Sequence, residues 1–469
     1  MHLVKPIINY SLFSIALSFI YLVSFGQENS PFSRYGIGDV YPQQNITSRG
    51  MGGVSAAYTS TQAVNTINPA SYGSLRLVTY DFALSVDSRS LLSATPAGKF
   101  NSINFLPSYL QLGMPLNKKI NGATLVFGLR PATRINYSVE EGSRINYDSL
   151  GTSDSLHQLH EGNGGMNQVF LGLGKTWRSK DTTKSLNSFA VGFNFGYEWG
   201  TKFISTQLDF PSDSIYENWY RSNSTDSVHY WGVFLNPGLM GTFTLNEVTD
   251  PISKIRSAYT LSIGASGTIE QNLNASRDVT RETFFRKDDG SLVPIDSIYK
   301  TTGEHGKINI PLSAEGGFMI NKMVINGPFI VKKWGIGADY SFQNWSKYLY
   351  FGQPDQLNDS WMLRVGAEFS ANPITGKSVF STGYYRVGYY MGKDYINADG
   401  NGYKVRAVTL GYSFNLRKYH SYDNQYTMIN TAIEIGKRGS SVNNITENFF
   451  KFSLGLSLSD IWFIKRKYD

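Results

Sequence analysis

The chain has 469 residues, a formal net charge of +7, no cysteine, and 17% charged residues beside 46 glycines, 30 tyrosines and 29 phenylalanines. The lack of cysteine excludes a disulfide framework, a zinc–thiolate site and a cysteine-linked lipid anchor. Basic and acidic residues are interspersed, which excludes the basic stripe that nucleic-acid binding requires.

At the N-terminus, Lys5 precedes a mostly apolar run, Ile7 to Val23, and Ser24-Phe25-Gly26 follows. This is the form of a secretory signal peptide over residues 1–26, with the mature chain starting at Gln27. No later run is long and apolar enough for a spanning helix. The stretch Ser48 to Leu75 is crowded with Gly, Ala, Ser and Thr and carries few charges. Small residues of this kind let backbone pack where bulky side chains do not fit. A linker, a ligand-binding loop and a plug packed inside a larger structure are all open for this stretch.

From Leu75 onward short segments alternate large apolar with small or polar residues. In Phe189 to Trp199 every odd position is large and apolar. Phe450, Phe452, Leu454, Leu456 and Leu458 alternate with Lys451, Ser453, Gly455 and Ser457, and Val408 to Leu416 shows the same pattern. A period of two sends successive side chains to opposite faces of a sheet. About fourteen such segments are predicted, near 75–87, 103–113, 123–137, 166–177, 188–207, 228–245, 257–272, 307–320, 328–342, 360–371, 378–390, 404–417, 426–436 and 447–458. Long connections near 138–165, 208–227, 273–306, 343–359 and 391–403 alternate roughly with short ones such as 321–327, 372–377 and 417–425. Long strands, an even count, a Gly- and Ser-rich second face and a loop asymmetry point to a membrane barrel rather than a soluble sandwich. Trp177, Trp199, Trp345 and Trp361 are placed at segment ends as an interfacial girdle. The fold class expected is all-β: one transmembrane antiparallel β-barrel over residues 75–469, integral to the outer membrane of a Gram-negative bacterium and in contact with its lipid.

By parity the inward face carries Arg130, Glu198, Glu315, Asp339, Arg364, Glu368, Arg386, Glu434 and Lys451. These charges either form a polar passage or pair across the lumen around a plug, and pairing is the favoured reading. Two prolines interrupt strands: Arg130-Pro131 in the third, and Asn236-Pro237-Gly238 in the sixth. Proline removes a ladder donor, so each site marks either a bulge or a break that opens the wall toward lipid. His157-Gln158-Leu159-His160-Glu161 lies in an expected external loop without helical phasing and is not read as a metal site. No Ser/His/Asp arrangement stands out, and neither enzymatic activity nor a cofactor is expected.

Arg49-Gly50-Met51-Gly52-Gly53-Val54, with Asn65 and Asn68-Pro69-Ala70 after a signal peptide, resembles the N-terminal hatch of FadL-type outer-membrane transporters of hydrophobic compounds. Ser33 to Gly38 and the terminal Leu456 to Asp469 look like a divergent branch of that family. The resemblance implies a plug in the lumen over residues 27–74, with hatch residues at Arg49, Gly50, Gly52, Gly53, Asn68, Pro69 and Ala70. It also implies passive uptake of hydrophobic small molecules, such as long-chain fatty acids or aromatic hydrocarbons, by hatch movement and lateral release. Pro131 is the candidate kink by its position in the third strand. The alternative is a non-transporting adaptor barrel of an outer-membrane secretion or barrel-assembly complex, with other outer-membrane or periplasmic proteins as partners.

Overall fold

A computed structural model describes residues 30–116, 122–146, 153–179, 186–209, 221–251, 255–287, 292–326, 329–370, 378–398, 400–417 and 426–460. The signal peptide, the first three residues of the expected plug, the 372–377 turn and the end of the C-terminal motif lie outside the described residues.

Fourteen strands form one ring. They are β1 Val78–Ser93, β2 Gly98–Pro115, β3 Ala123–Asn146, β4 Ser153–Arg178, β5 Ser188–Asp209 and β6 Arg221–Thr249. β7 runs as Arg256–Thr268 and Gln271–Arg286, and β8 as Leu292–Ile310 and Ser313–Asn326. There follow β9 Phe329–Gln343, β10 Ser360–Phe369, β11 Tyr384–Ala398, β12 Asn401–Arg417, β13 Tyr426–Arg438 and β14 Ile445–Asp460. Both pieces of β7 pair with β6 in nearly one register, Trp231 with Asn274 and Gly238 with Ser266, so each broken strand acts as a single wall element. Every neighbour is antiparallel. β14 pairs with β1 along its whole length, Ile445 opposite Ser93 and Asp460 opposite Val78, which closes the ring.

The period-two pattern becomes an inverted distribution of polarity. On β5, Phe189, Phe193, Phe195, Tyr197 and Trp199 are exposed, while Ala190, Asn194 and Glu198 are buried. On β14, Phe450, Phe452, Leu454, Leu456 and Leu458 are exposed, while Ser453, Ser457 and Ser459 are buried. A soluble protein does not tolerate such a continuous apolar exterior. A wall with lipid outside and a polar lumen inside requires it.

Each of the fourteen expected segments overlaps one of these strands, but several expected loops do not exist as loops. Residues 138–146, 153–165, 221–227, 273–286, 292–306 and most of 391–403 are strand. Beyond the lipid, backbone pairing continues without any need for apolar alternation, so the signal fades in runs such as Ser138-Val139-Glu140-Glu141-Gly142. The result is an uneven rim. β4 has 26 residues and β10 has 10, against about 9–11 needed to cross a bilayer. Trp345 also departs from expectation. It is buried rather than in a girdle, because the 343–359 connection folds into the mouth of the ring with a short turn at Trp345–Lys347.

The inverted wall makes a directional prediction. Phe195→Arg, on the outward face of β5, should destabilise the barrel by about 2–4 kcal/mol near the bilayer midplane. Urea unfolding in lipid vesicles measures this, and unchanged stability would contradict a lipid-facing Phe195.

Candidate functional site: the filled lumen and a gap in its wall

Residues from Ser30 to Leu75 run inside the ring and are largely buried. Their local structure is short and well capped. Asn45 accepts from the Ser48 amide at the start of a one-turn helix, Ile46–Arg49. Asn68 accepts from the Ala70 amide at the start of the turn Pro69–Ser74, where Pro69 occupies a position that needs no donor. The sequence around Gly50 leaves no side chain where the segment meets the wall. A Cβ on Gly50 would lie 2.7 Å from Gly411 Cα, and one on Gly388 would lie 2.1 Å from the Gly52 amide nitrogen. Gly52 and Gly53 have φ of +70° and +85°, a backbone state that side chains disfavour.

The inward charges meet this segment. Arg49 donates Nε to Glu434 Oε1 at 2.6 Å and Nη1 to Ser85 at 3.0 Å. The Gly52 amide donates to Thr409 Oγ1 at 2.8 Å. Asp339 accepts from the amides of Ser55 and Ala56, and Glu315 accepts from the Ser55 hydroxyl at 2.8 Å. Arg364 pairs with Glu315 at 3.4 Å, and Glu368 pairs with both Lys332 and Arg386, at 2.6 and 3.2 Å. Arg130 donates to Thr66 Oγ1 and to Gln168, which donates in turn to Glu198. Lys451 lies 3.7 Å from Asp87. Asn68 Nδ2 donates to the carbonyls of Ala56 and Leu239, and a Cβ on Gly238 would strike Asn68 Oδ1. Pro69 and Ala70 press on Gly192 in the same way.

A further charge cluster was not singled out by sequence reasoning. Arg89 contacts Asp39, Asp87 and Glu447 at 2.9, 2.8 and 3.1 Å, and Arg438 contacts Asp39 and Asp394 at 2.7 and 2.9 Å. Burial pushes the Asp39 carboxyl up, but Arg438 and Arg89 reverse this and hold it well below the usual carboxylate range. Strand parity carried the signal, since Arg438 has the parity of Glu434 and Asp87 that of Arg89. Beside this cluster lies an apolar core. Trp345 packs on Tyr395 with ring centroids 4.8 Å apart, and Phe32 on Tyr403 at 4.9 Å, with Tyr230 and Tyr348 beside them. Between the layers lies a cavity of about 380 Å³ whose lining mixes Arg49, Arg130, Arg364 and Glu434 with Phe234 and Trp361.

The wall is incomplete at one place. β2 and β3 pair only from Leu110 to Pro115 against Thr124 to Leu129. Beyond Leu129 the strands part, and the first residues of β3 past that point are Arg130 and Pro131. A register shift follows between Pro131 and Thr133 in the pairing with β4. The inner segment meets the freed edge of β3: Asp39 pairs with Arg134, Val40 with Thr133, and the Tyr41 amide donates to the Ala132 carbonyl at 2.9 Å. Val40 is 42% exposed while Asp39 and Tyr41 beside it are buried, and it borders the lumenal cavity. At Asn236-Pro237-Gly238 the ladder to β7 is interrupted but bridged. Ile269 donates its amide to the Leu235 carbonyl, and Asn236 Nδ2 donates to the Gly267 carbonyl. Among the described residues no group of three or more metal-ligating side chains occurs.

The chain is similar in structure to the CymD monoaromatic hydrocarbon channel, with 13% identity, 91% of this chain and 99% of that chain covered, and a TM-score of 0.50. It is similar to the toluene transporter TbuX of Ralstonia pickettii at 15% identity, 89% and 98% coverage and a TM-score of 0.50. A FadL homologue of Pseudomonas aeruginosa matches at 12% identity, 90% and 99% coverage and a TM-score of 0.54. No curated protein sequence matches. At these identities the likeness is one of fold, that of an integral outer-membrane barrel of the FadL type. A model of the BamG family matches residues 7–469, so the chain, a divergent FadL-like barrel, belongs to the BamG family.

Proposed function

We propose that this barrel is a non-transporting structural subunit, an adaptor, of an outer-membrane secretion or barrel-assembly complex. What supports the reading is that two layers of different chemistry lie within the ring. In this reading the segment 27–74, described from Ser30 onward, is a fixed plug, held by buried pairs such as Arg49–Glu434 and by matched glycines. The aromatic core around Trp345 is the second layer. Withdrawing the plug would strand several buried charges, and each would cost several kcal/mol. The remaining cavity is bordered by charges of both signs, whereas pockets for apolar ligands are lined mainly by apolar groups. The uneven rim, with β3 to β8 rising well past the lipid, offers a broad surface for a partner.

A second reading is favoured by one observation, the gap beside Pro131. Passive uptake of a hydrophobic small molecule, with plug movement and lateral release between β2 and β3, would use that gap. The fold shared with hydrocarbon channels supports it.

The two readings separate experimentally. Gentle solubilisation and pull-down should recover a partner protein in fixed stoichiometry, and a clean monomer under those conditions would count against the adaptor. Vesicles containing the purified barrel should take up fatty acids and toluene no faster than empty vesicles. If they take them up faster, and Pro131→Val abolishes the difference, lateral release is the better account. For the fixed plug, Arg49→Met should cost about 3–5 kcal/mol by stranding Glu434, while the double variant Arg49→Met, Glu434→Leu should recover most of that loss. Denaturant unfolding measures both. A negligible effect of the single variant would mean that the pair does not hold the plug.

A further inference from the structure

The gap in the wall has a property that lateral release does not use. At lipid depth every backbone N–H and C=O needs a partner within protein, which is why spanning sheets close. β2 stays paired with β1 from Gly98 to Gly113 on one side. On the other side its pairing with β3 stops at Leu110. From Gly98 to Tyr109 this second edge has no strand beside it among the described residues. The stretch is about as long as a spanning strand. Its part from Ser102 onward faces lipid, since Ile103 and Phe105 project outward and are 63% and 42% exposed, whereas Lys99 and Asn101 are exposed polar residues before it. The two sides of the gap differ, because the edge of β3 receives Asp39 and Val40 from the inner segment.

The inward side of the same edge is also incomplete. Asn104 is buried, and neither atom of its side-chain amide has a hydrogen-bond partner. The hydroxyl of Ser102 and Oδ1 of Asp87, both buried, have none either. Asp87 stands opposite Asn104 in the β1–β2 ladder, so these atoms gather at one level. A small cavity beside the gap is bordered by Asp87, Leu106 and Lys451.

We infer that the free edge of β2 accepts an extended segment of a second outer-membrane β-barrel protein as an added strand. An extended backbone supplies the row of donors and acceptors that the edge lacks. A segment with the alternating polarity of a barrel strand would turn polar side chains inward, onto Asn104 and Ser102, and apolar ones outward, level with Ile103 and Phe105. A lipid headgroup can bond to Asn104 but cannot pair with a run of backbone groups. A uniformly polar peptide can pair but would leave polar side chains in lipid. The inference rests on the adaptor reading and names the surface that the adaptor uses.

The test places a photoreactive benzophenone side chain at Ile103 or Phe105 in the full-length protein in its native membrane. Controls carry it at Phe195 of β5 and Val387 of β11, outward positions on strands paired on both sides. Heat-modifiable mobility in electrophoresis shows which variants fold, and two test positions guard against the loss of one. The expected result is an adduct from Ile103 and Phe105 with one outer-membrane protein, lost at both controls and weakened by Asn104→Leu. Adducts with lipid alone, or equal labelling at test and control positions, would overturn the inference. So would the absence of a protein adduct while a partner still co-purifies, an outcome that leaves the adaptor reading standing. Absence of both adduct and partner defeats the two together.

Discussion

Everything in this molecule depends on one constraint: its solvent on the outside cannot form hydrogen bonds. Backbone groups are satisfied by closing the sheet on itself, β14 against β1. At lipid depth polar side chains have only one direction left, inward, and the lumen receives them. A lumen lined by Glu198, Glu315, Asp339, Glu368 and Glu434 is itself costly unless each charge finds a partner. The segment from Ser30 to Leu75 supplies many of those partners, through backbone amides at Asp339, a guanidinium at Glu434 and hydroxyls at Glu315 and Arg130.

Such a fit needs close approach as well as charge. Wall glycines at 388 and 411 face segment glycines at 52 and 50, so main chain meets main chain without intervening side chains. This brings the amides of Gly52, Ser55 and Ala56 within reach of Thr409 and Asp339. Glycine and polar satisfaction are thus one design rather than two, and a change in either loosens the other. Near the mouth the logic reverses. There the Trp345 connection and Phe32 build an ordinary apolar core, the kind that needs no partner-by-partner matching.

The break between β2 and β3 is where the governing constraint is met differently. One freed edge is paired by the inner segment, through Asp39 and Val40. The other is left open, with unpartnered polar atoms behind it. The proposed adaptor uses this opening for docking, and the rival reading uses it for lateral passage.

The strand count and the inside and outside of the wall are legible in the residues alone. Both follow from a local rule, side-chain period, that holds wherever the segment sits in the fold. Parity also placed Glu198, Glu315, Asp339, Arg364, Glu368, Arg386 and Glu434 in the lumen, and proline chemistry pointed to Pro131. Which charge meets which is set by the closed ring, since Arg49 and Glu434 are far apart along the chain and are joined by a through-lumen contact with no local trace. The same holds for Asp39 between Arg89 and Arg438, and for Trp345, whose aromatic ring suits a lipid interface or a core equally well until its loop folds inward. The strand extensions past the lipid were hidden for a related reason. Backbone pairing sustains them, and pairing, unlike burial, leaves no periodic mark on the residues it joins.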